Sequence, residues 1–174
     1  MCDPLKIFKA VLSEFNNHSK WKSALFEKVK LIPNTKVGSV GQNFIERLCV
    51  ELDIPCSFPV NEKGKRLTQN SWDIKILDIE FELKTATEDT NKHFQFNHIR
   101  YHRQYEGLLC LGVSPADLYF GIWSKADVTT GKAGNLVSME KGANASYKLT
   151  KKPDQLNPID SFQTEIQKFS DNFG

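Results

Sequence analysis

The stretch Trp72-Asp73-Ile74-Lys75-Ile76-Leu77-Asp78-Ile79-Glu80-Phe81-Glu82-Leu83-Lys84 alternates apolar and polar residues on either side of Leu77-Asp78. Such alternation predicts half-buried strands. Folded as a hairpin with Leu77-Asp78 as its two-residue turn, the register sets Ile76 opposite Ile79, Lys75 opposite Glu80, Ile74 opposite Phe81 and Asp73 opposite Glu82. One face then reads Trp72, Ile74, Ile76, Ile79, Phe81 and Leu83. The other carries Asp73, Lys75, Glu80, Glu82 and Lys84. Leu77-Asp78 is not a favoured turn dipeptide, so the register rests on the pattern and not on turn chemistry. Directly opposed Cβ atoms lie roughly 4.5–5.5 Å apart, and two carboxylates at that separation repel unless a cation lies between them.

That charged face has two readings. In the plainer one it is a solvated surface with a cross-strand ion pair, Lys75 with Glu80. In the other, Asp73 and Glu82 share a divalent ion: two carboxylates with water and phosphate oxygens suit Mg²⁺, which prefers octahedral oxygen coordination and few protein ligands. Lys84, two residues beyond Glu82 and on the same face, then reaches a bound water or a phosphate oxygen. Phosphodiester hydrolysis needs these parts, a metal to acidify water and a cation to stabilise the transition state. Spacing alone does not decide between the two.

Outward from the hairpin, the N-terminal third has helical periodicity. Leu5, Phe8, Leu12 and Phe15 predict a helix over 4–15, and a second runs from Ser19 through Trp21, Leu25 and Val29 until Pro33 breaks it. A third spans about Ser39 to Leu52, with Phe44, Ile45, Leu48, Val50 and Leu52 as its apolar face and Glu46 and Arg47 at its edge. Cys56 to Val60 reads as a short strand, 61–71 as a polar loop, and Leu108–Val113 and Leu118–Trp123 as further strands, the first of them fully buried. Residues 131–146, rich in Gly, Asn and Ala, read as a long loop. Ile159, Phe162, Ile166 and Phe169 place a C-terminal helix over about 158–169. The fold expected is a single α/β domain over 1–174: a helical N-terminal part (1–38), a core with a central mixed sheet flanked by helices (39–128), and a loop with a closing helix (129–174).

Composition narrows the function classes. The 174 residues carry 23 Lys and Arg against 21 Asp and Glu, a net charge of +2, which excludes wrapping of nucleic acid by bulk charge. The charge is segregated, however: 73–89 holds six acids against two lysines, flanked by net-basic segments 54–72 and 90–105, and 131–152 is a further basic segment. An acidic patch between basic segments suits a metal site facing a polyanion. The four cysteines, Cys2, Cys49, Cys56 and Cys110, form no C-x-x-C pair, so zinc-ribbon and thioredoxin-like sites lack support. No secretory signal or membrane-length apolar run is visible, and a reduced, cytoplasmic protein with packed thiols is expected. Walker, dinucleotide-binding and G-x-S-x-G motifs are absent.

The segment 91–105 holds Lys92, Arg100 and Arg103, three of the four histidines, and no acid. Donors interleaved with aromatics suit a nucleic-acid surface, with Arg forking to guanine, Asn or Gln to adenine, and Lys or His meeting phosphate. Gln95, Asn97, His98, Arg100 and Arg103 are the contact candidates; Phe94, Phe96, Ile99 and Tyr101 read as core or support. His98 and His102 would share a face were the segment helical, but two imidazoles alone are a poor zinc site. Lys132, in the glycine-containing lysine-rich stretch 131–152, can follow a phosphate backbone or belong to an ordinary surface loop.

Asp73 followed after eight residues by Glu82-Leu83-Lys84, on consecutive strands and preceded by a helix with Glu46, resembles the PD-(D/E)XK nuclease superfamily, whose best-known members are type II restriction endonucleases. The downstream run Phe94-Gln95-Phe96-Asn97-His98-Ile99-Arg100 and the two later strands extend the likeness over roughly 41–128; Trp72 stands where that motif often has proline. The resemblance implies a restriction-endonuclease-like fold and a site-specific deoxyribonuclease of a restriction-modification system, dependent on Mg²⁺ with Mn²⁺ as a substitute. It implies that Asp73 and Glu82 hold the ion, that Leu83 adds its carbonyl, that Glu46 stands near the metal, and that Lys84 orients or activates the attacking water. It further implies a homodimer on double-stranded DNA. The alternatives are a nicking, repair or junction-resolving nuclease of the same superfamily, a non-catalytic DNA-binding module, and a plain interaction domain.

Overall fold

Leu77 and Asp78 both adopt left-handed backbone, with φ of 49° and 67°, the geometry of a type I′ turn. Around that turn β2 (Ile74–Ile76) pairs antiparallel with β3 (Ile79–Thr87) in the expected register, Ile76 opposite Ile79, Lys75 opposite Glu80 and Ile74 opposite Phe81. The apolar pattern thus selects the register although the turn residues do not favour it. This is a computed structural model, and the residues described are 20–67, 70–100, 102–142 and 145–173. The helix expected over 4–15, Cys2 and Tyr101 lie outside them.

The protein is a mixed α/β fold. Besides the hairpin, its strands are β1 (Cys56–Ser57), β4 (Phe94–Ile99), β5 (Gly107–Val113), β6 (Leu118–Ser124), β7 (Leu136–Ser138), β8 (Tyr147–Lys151) and β9 (Asn157–Pro158). Six form a central mixed sheet in the order β1-β2-β3-β5-β6-β9, parallel between β3 and β5 and antiparallel elsewhere; β4, β8 and β7 form a second, three-stranded sheet. The helices are α1 (Asn34–Glu51), α2 (Lys125–Thr129) and α3 (Phe162–Asp171).

One face of the central sheet packs Ile74, Ile76, Ile79, Phe81 and Leu83 under α1 and α3, through Ile45 and Cys49 of the first and Phe162 and Ile166 of the second. Helix α1 settles closely because Gly41 faces β3: a Cβ there would stand 1.9 Å from Thr85 Oγ1. Past Leu52 the chain reverses at Asp53 (φ 54°), and the Ile54 N–H donates to the Cys49 carbonyl at 2.8 Å. The other face, with Leu108, Cys110 and Ala86, is covered by Phe94, Phe96 and Ile99 of β4. Strand β5 is therefore buried along its whole length, as its continuous apolar run predicts.

Several expectations are corrected. The helix from Ser19 through Val29 is, over its described residues, a turn at 20–23 followed by a 3-10 segment, Glu27–Lys30; Ser23 (φ 61°) interrupts helical backbone. Helix α1 starts at Asn34, directly after Pro33, and Val50 is exposed; the buried stripe is Gly41, Ile45 and Cys49. Trp72 packs with β4's core, not with Ile74, because β2 begins only at Ile74 and the alternation does not extend back through Asp73. The loop expected over 131–146 contains β7, three residues being too few for a period to register. Helix α2 also went unpredicted, although Ser124-Lys125-Ala126-Asp127 carries a capping signal: Ser124 Oγ accepts the Asp127 N–H at 3.0 Å. Asn157–Pro158 forms an edge strand rather than helix, and α3 starts at Phe162.

Cys49, Cys56 and Cys110 are free thiols, the first and last buried, and burial pushes the Cys49 thiol up to about 12. No helix among the described residues is long and apolar enough to cross a membrane.

Candidate active site

The hairpin brings Asp73 to the middle of β3. Its N–H donates to the Phe81 carbonyl at 2.8 Å, and its Oδ2 accepts the Leu83 N–H at 2.9 Å. From α1, Gln42 Nε2 donates to the Asp73 carbonyl at 3.1 Å. Asp73 is thus held from both sides, by a strand and by a helix that Gly41 allows to lie close.

Glu82 follows on β3, opposite Leu108 of β5, and Lys84 lies opposite Cys110. Their face is covered by the second sheet, so Glu82 is wholly buried at 0% exposure. Lys84 Nζ lies 2.5 Å from Glu82 Oε1, and Arg103 Nη1 lies 3.9 Å from Glu82 Oε2. Oε1 is thus in direct contact with an ammonium, whereas Oε2 is buried with no hydrogen-bond partner among the described residues. Burial pushes the Glu82 carboxyl above the usual carboxylate range; Lys84 opposes this, Asp73 adds to it, and Arg103 opposes it more weakly. A buried carboxylate with an unpartnered oxygen and a like charge alongside is costly, and such groups call for an explanation.

Two clefts of about 260 Å³ each meet at Asp73. One is lined by Thr35, Gly38, Ser39, Gln42, Asp73, Leu83 and Lys84. The other runs from Ser39 and Gln42 past Asn43 to Arg66, Asn70 and Trp72. Ser39, Gln42, Arg66 and Asn70 were not candidates from sequence. The one available signal was that Ser39, Gln42, Asn43 and Glu46 share a helix face at spacings of three and four.

The donor set fits a small hard cation. Asp73, just before β2, lines both clefts, Glu82 on β3 is buried behind them, and the Leu83 carbonyl lies between Glu82 and Lys84 in sequence; two carboxylates, a carbonyl and water would be the sparse protein ligation that Mg²⁺ or Mn²⁺ accepts. Among the described residues no three His, Cys, Asp or Glu side chains cluster in a way that could hold a metal ion. Glu46 stands apart. It pairs with Arg66 at 3.1 Å, and that guanidinium stacks 3.5 Å from the centroid of the Phe58 ring.

The expected nucleic-acid contacts separate. Gln95 and Asn97 are exposed on the outer side of β4, whose inner side buries Phe94, Phe96 and Ile99. Gln95 Nε2 donates to Asp89 Oδ2 at 3.1 Å. His98 sits at a bulge with φ 59°, its Nδ1 3.4 Å from Ser146 Oγ and 3.8 Å from Glu140 Oε1. With His98 in a strand and His102 in a turn, the shared helix face that would pair them does not form. Arg100 is half-buried, and Lys132 is exposed and pairs with Asp127 at 3.5 Å. Of these candidates Arg103 alone is brought to the carboxylates. The Lys75–Glu80 pair also forms, at 3.2 Å, so the plainer reading describes that end of the hairpin and not the end at Glu82.

No family model matches the sequence, and no curated protein matches it. Among solved structures, a bacterial homing endonuclease, I-Ssp6803I, aligns with a TM-score of 0.48 and 9% sequence identity, over 81% of this chain and 98% of that one.

Proposed function

We propose that this chain is a divalent-metal-dependent endodeoxyribonuclease. The observation that carries the reading is Glu82: a wholly buried carboxylate beside Asp73, with Lys84 at 2.5 Å from Oε1 and Oε2 without a hydrogen-bond partner among the described residues. Asp73, Glu82 and the Leu83 carbonyl would hold Mg²⁺, with Mn²⁺ as a substitute. Bound there, the ion supplies charge neutralisation and a more acidic water. Lys84 offers its ammonium to the attacking water or to a phosphate oxygen, where positive charge favours the transition state. Gln42 keeps the Asp73 backbone in place, and burial under the second sheet prevents Glu82 from relaxing into solvent.

The finer reading is a type II restriction endonuclease acting as a homodimer, since one such site cuts one strand and two-fold symmetry supplies the second. Supercoiled plasmid incubated with and without Mg²⁺, beside Asp73→Ala and Lys84→Ala, tests both levels. Discrete double-strand fragments from the wild type, lost in either variant, support the restriction enzyme. Nicks alone point to a nicking or repair nuclease with the same site. Uncut DNA under every metal condition overturns the enzymatic reading.

A further inference from the structure

Arg103 is held in an unusual way. Its backbone is fixed at both ends of the residue: the N–H donates to the Arg100 carbonyl at 3.0 Å, and Lys125 Nζ donates to its own carbonyl. Its side chain is far less constrained. Among the described residues its one hydrogen bond is from Nη1 to the Asn70 carbonyl at 3.2 Å, and the side chain is 30% exposed. A guanidinium has five N–H donors in a planar fork that matches carboxylate and phosphate, and among the described residues one of them is used. Asn70 lines the cleft that runs to Asp73, so Arg103 reaches from buried Glu82 to the wall of that cleft.

Lys84 differs in this respect. It projects from the interior of β3, opposite Cys110, and its ammonium stands at 2.5 Å from Glu82 with only 19% of the side chain exposed. Of the two cations beside Glu82, Arg103 is the one at longer range, on a turn, the more exposed, and with one side-chain hydrogen bond among the described residues.

We infer that Arg103 serves as a counter-ion to Glu82 in the metal-free protein and turns to a phosphate of the bound DNA strand when a divalent ion takes over that carboxylate. The exchange involves no covalent step: one ion pair is replaced by a carboxylate–metal contact and a guanidinium–phosphate fork. The inference rests on the nuclease reading and adds to it a residue that couples the state of the carboxylate to capture of the substrate.

The signature is a pair of effects with opposite sign. Arg103 both competes for Glu82 and repels an incoming cation, so Arg103→Met is expected to bind Mn²⁺ about tenfold more tightly in the absence of DNA, the order expected for deleting one charge at this range. The same variant is expected to cleave plasmid about a hundredfold more slowly, having lost a donor to the phosphate. A residue that merely supports the fold would weaken both. The measurement is calorimetric titration of the full chain with Mn²⁺, beside cleavage rates at saturating Mn²⁺ and a thermal melt of each protein. Arg103→Gln keeps a donor for the Asn70 carbonyl and reports the same contrast should the methionine variant not fold. Arg103→Lys, which keeps the charge, is expected to hold wild-type Mn²⁺ affinity. If the wild type binds Mn²⁺ and cleaves DNA while the neutral variants bind the ion no more tightly, the exchange is wrong and the nuclease reading stands. If the wild type binds no Mn²⁺, both fall.

Discussion

Lys84 Nζ lies 2.5 Å from Oε1 of wholly buried Glu82, two residues away on the same strand, while Oε2 has no hydrogen-bond partner among the described residues. The ammonium compensates the charge and satisfies one oxygen, not the other. Such an arrangement makes the stability of the metal-free protein depend on the nearest cation.

The two halves of this pair are therefore unequal in stability. Lys84→Met strips the nearest cation from a buried carboxylate and is expected to destabilise the metal-free protein by about 3 kcal/mol. Glu82→Gln removes a buried charge and is expected to stabilise it by about 1 kcal/mol. Both are expected to abolish cleavage. Urea unfolding in EDTA checks the signs, and a Glu82→Gln protein markedly less stable than wild type would show that the carboxylate is structural.

Two carboxyls give opposite pH dependence. Glu82 is held above its usual range, so its neutral form is favoured by folding. The stability tied to it is full below the unfolded pKa of about 4.3 and declines as pH rises from there through the raised value. Burial also acts to raise Glu88, but its hydrogen bonds from Lys20 and Ser114 outweigh this and hold it below the usual range. Its contribution is present above about pH 4.3 and is lost as pH falls through the depressed value. Stability curves of Glu82→Gln and Glu88→Gln from pH 3 to 8 in EDTA are expected to meet wild type at the acid end and to depart from it in opposite directions as pH rises, Glu82→Gln above wild type and Glu88→Gln below it. Curves that run parallel to wild type throughout would refute the assignment.

Gly41 is predicted to tolerate no side chain, since a Cβ would meet Thr85 Oγ1 at 1.9 Å. Gly41→Val is expected to destabilise the fold by about 3 kcal/mol through overpacking. It should also reduce cleavage, because displacement of α1 removes the Gln42 bond to the Asp73 carbonyl. Paired denaturation and activity assays distinguish this from Gly38→Ala, whose added Cβ has nothing within 4 Å.

Glu46 faces Arg66 rather than the Asp73 clefts, with 37% of its side chain exposed. Glu46→Gln is accordingly expected to change stability by less than about 1 kcal/mol and to leave Mn²⁺ affinity near wild type, whereas Asp73→Asn is expected to lower that affinity about tenfold or more. Equal losses in the two variants would place Glu46 at the metal.

Much of this protein was determined by local pattern. Alternation from Ile74 to Lys84 specifies the hairpin and its register even against an unfavourable turn dipeptide, because a slip by one residue would expose every isoleucine on it. The unbroken apolar run of β5 likewise announces a strand covered on both faces. Only the tertiary structure decided that the charged face of the hairpin is no solvent face: β4 returns over it, burying Glu82 while Lys75 and Glu80 stay near the surface. It also brought Arg103 to Glu82 and Gln42 to Asp73, and turned Glu46 to Arg66. Periodicity reports which residues share a face of one element; it carries no information on which other element covers that face. The reactivity of a carboxylate depends on that cover, through the solvent it excludes and the cations it brings near.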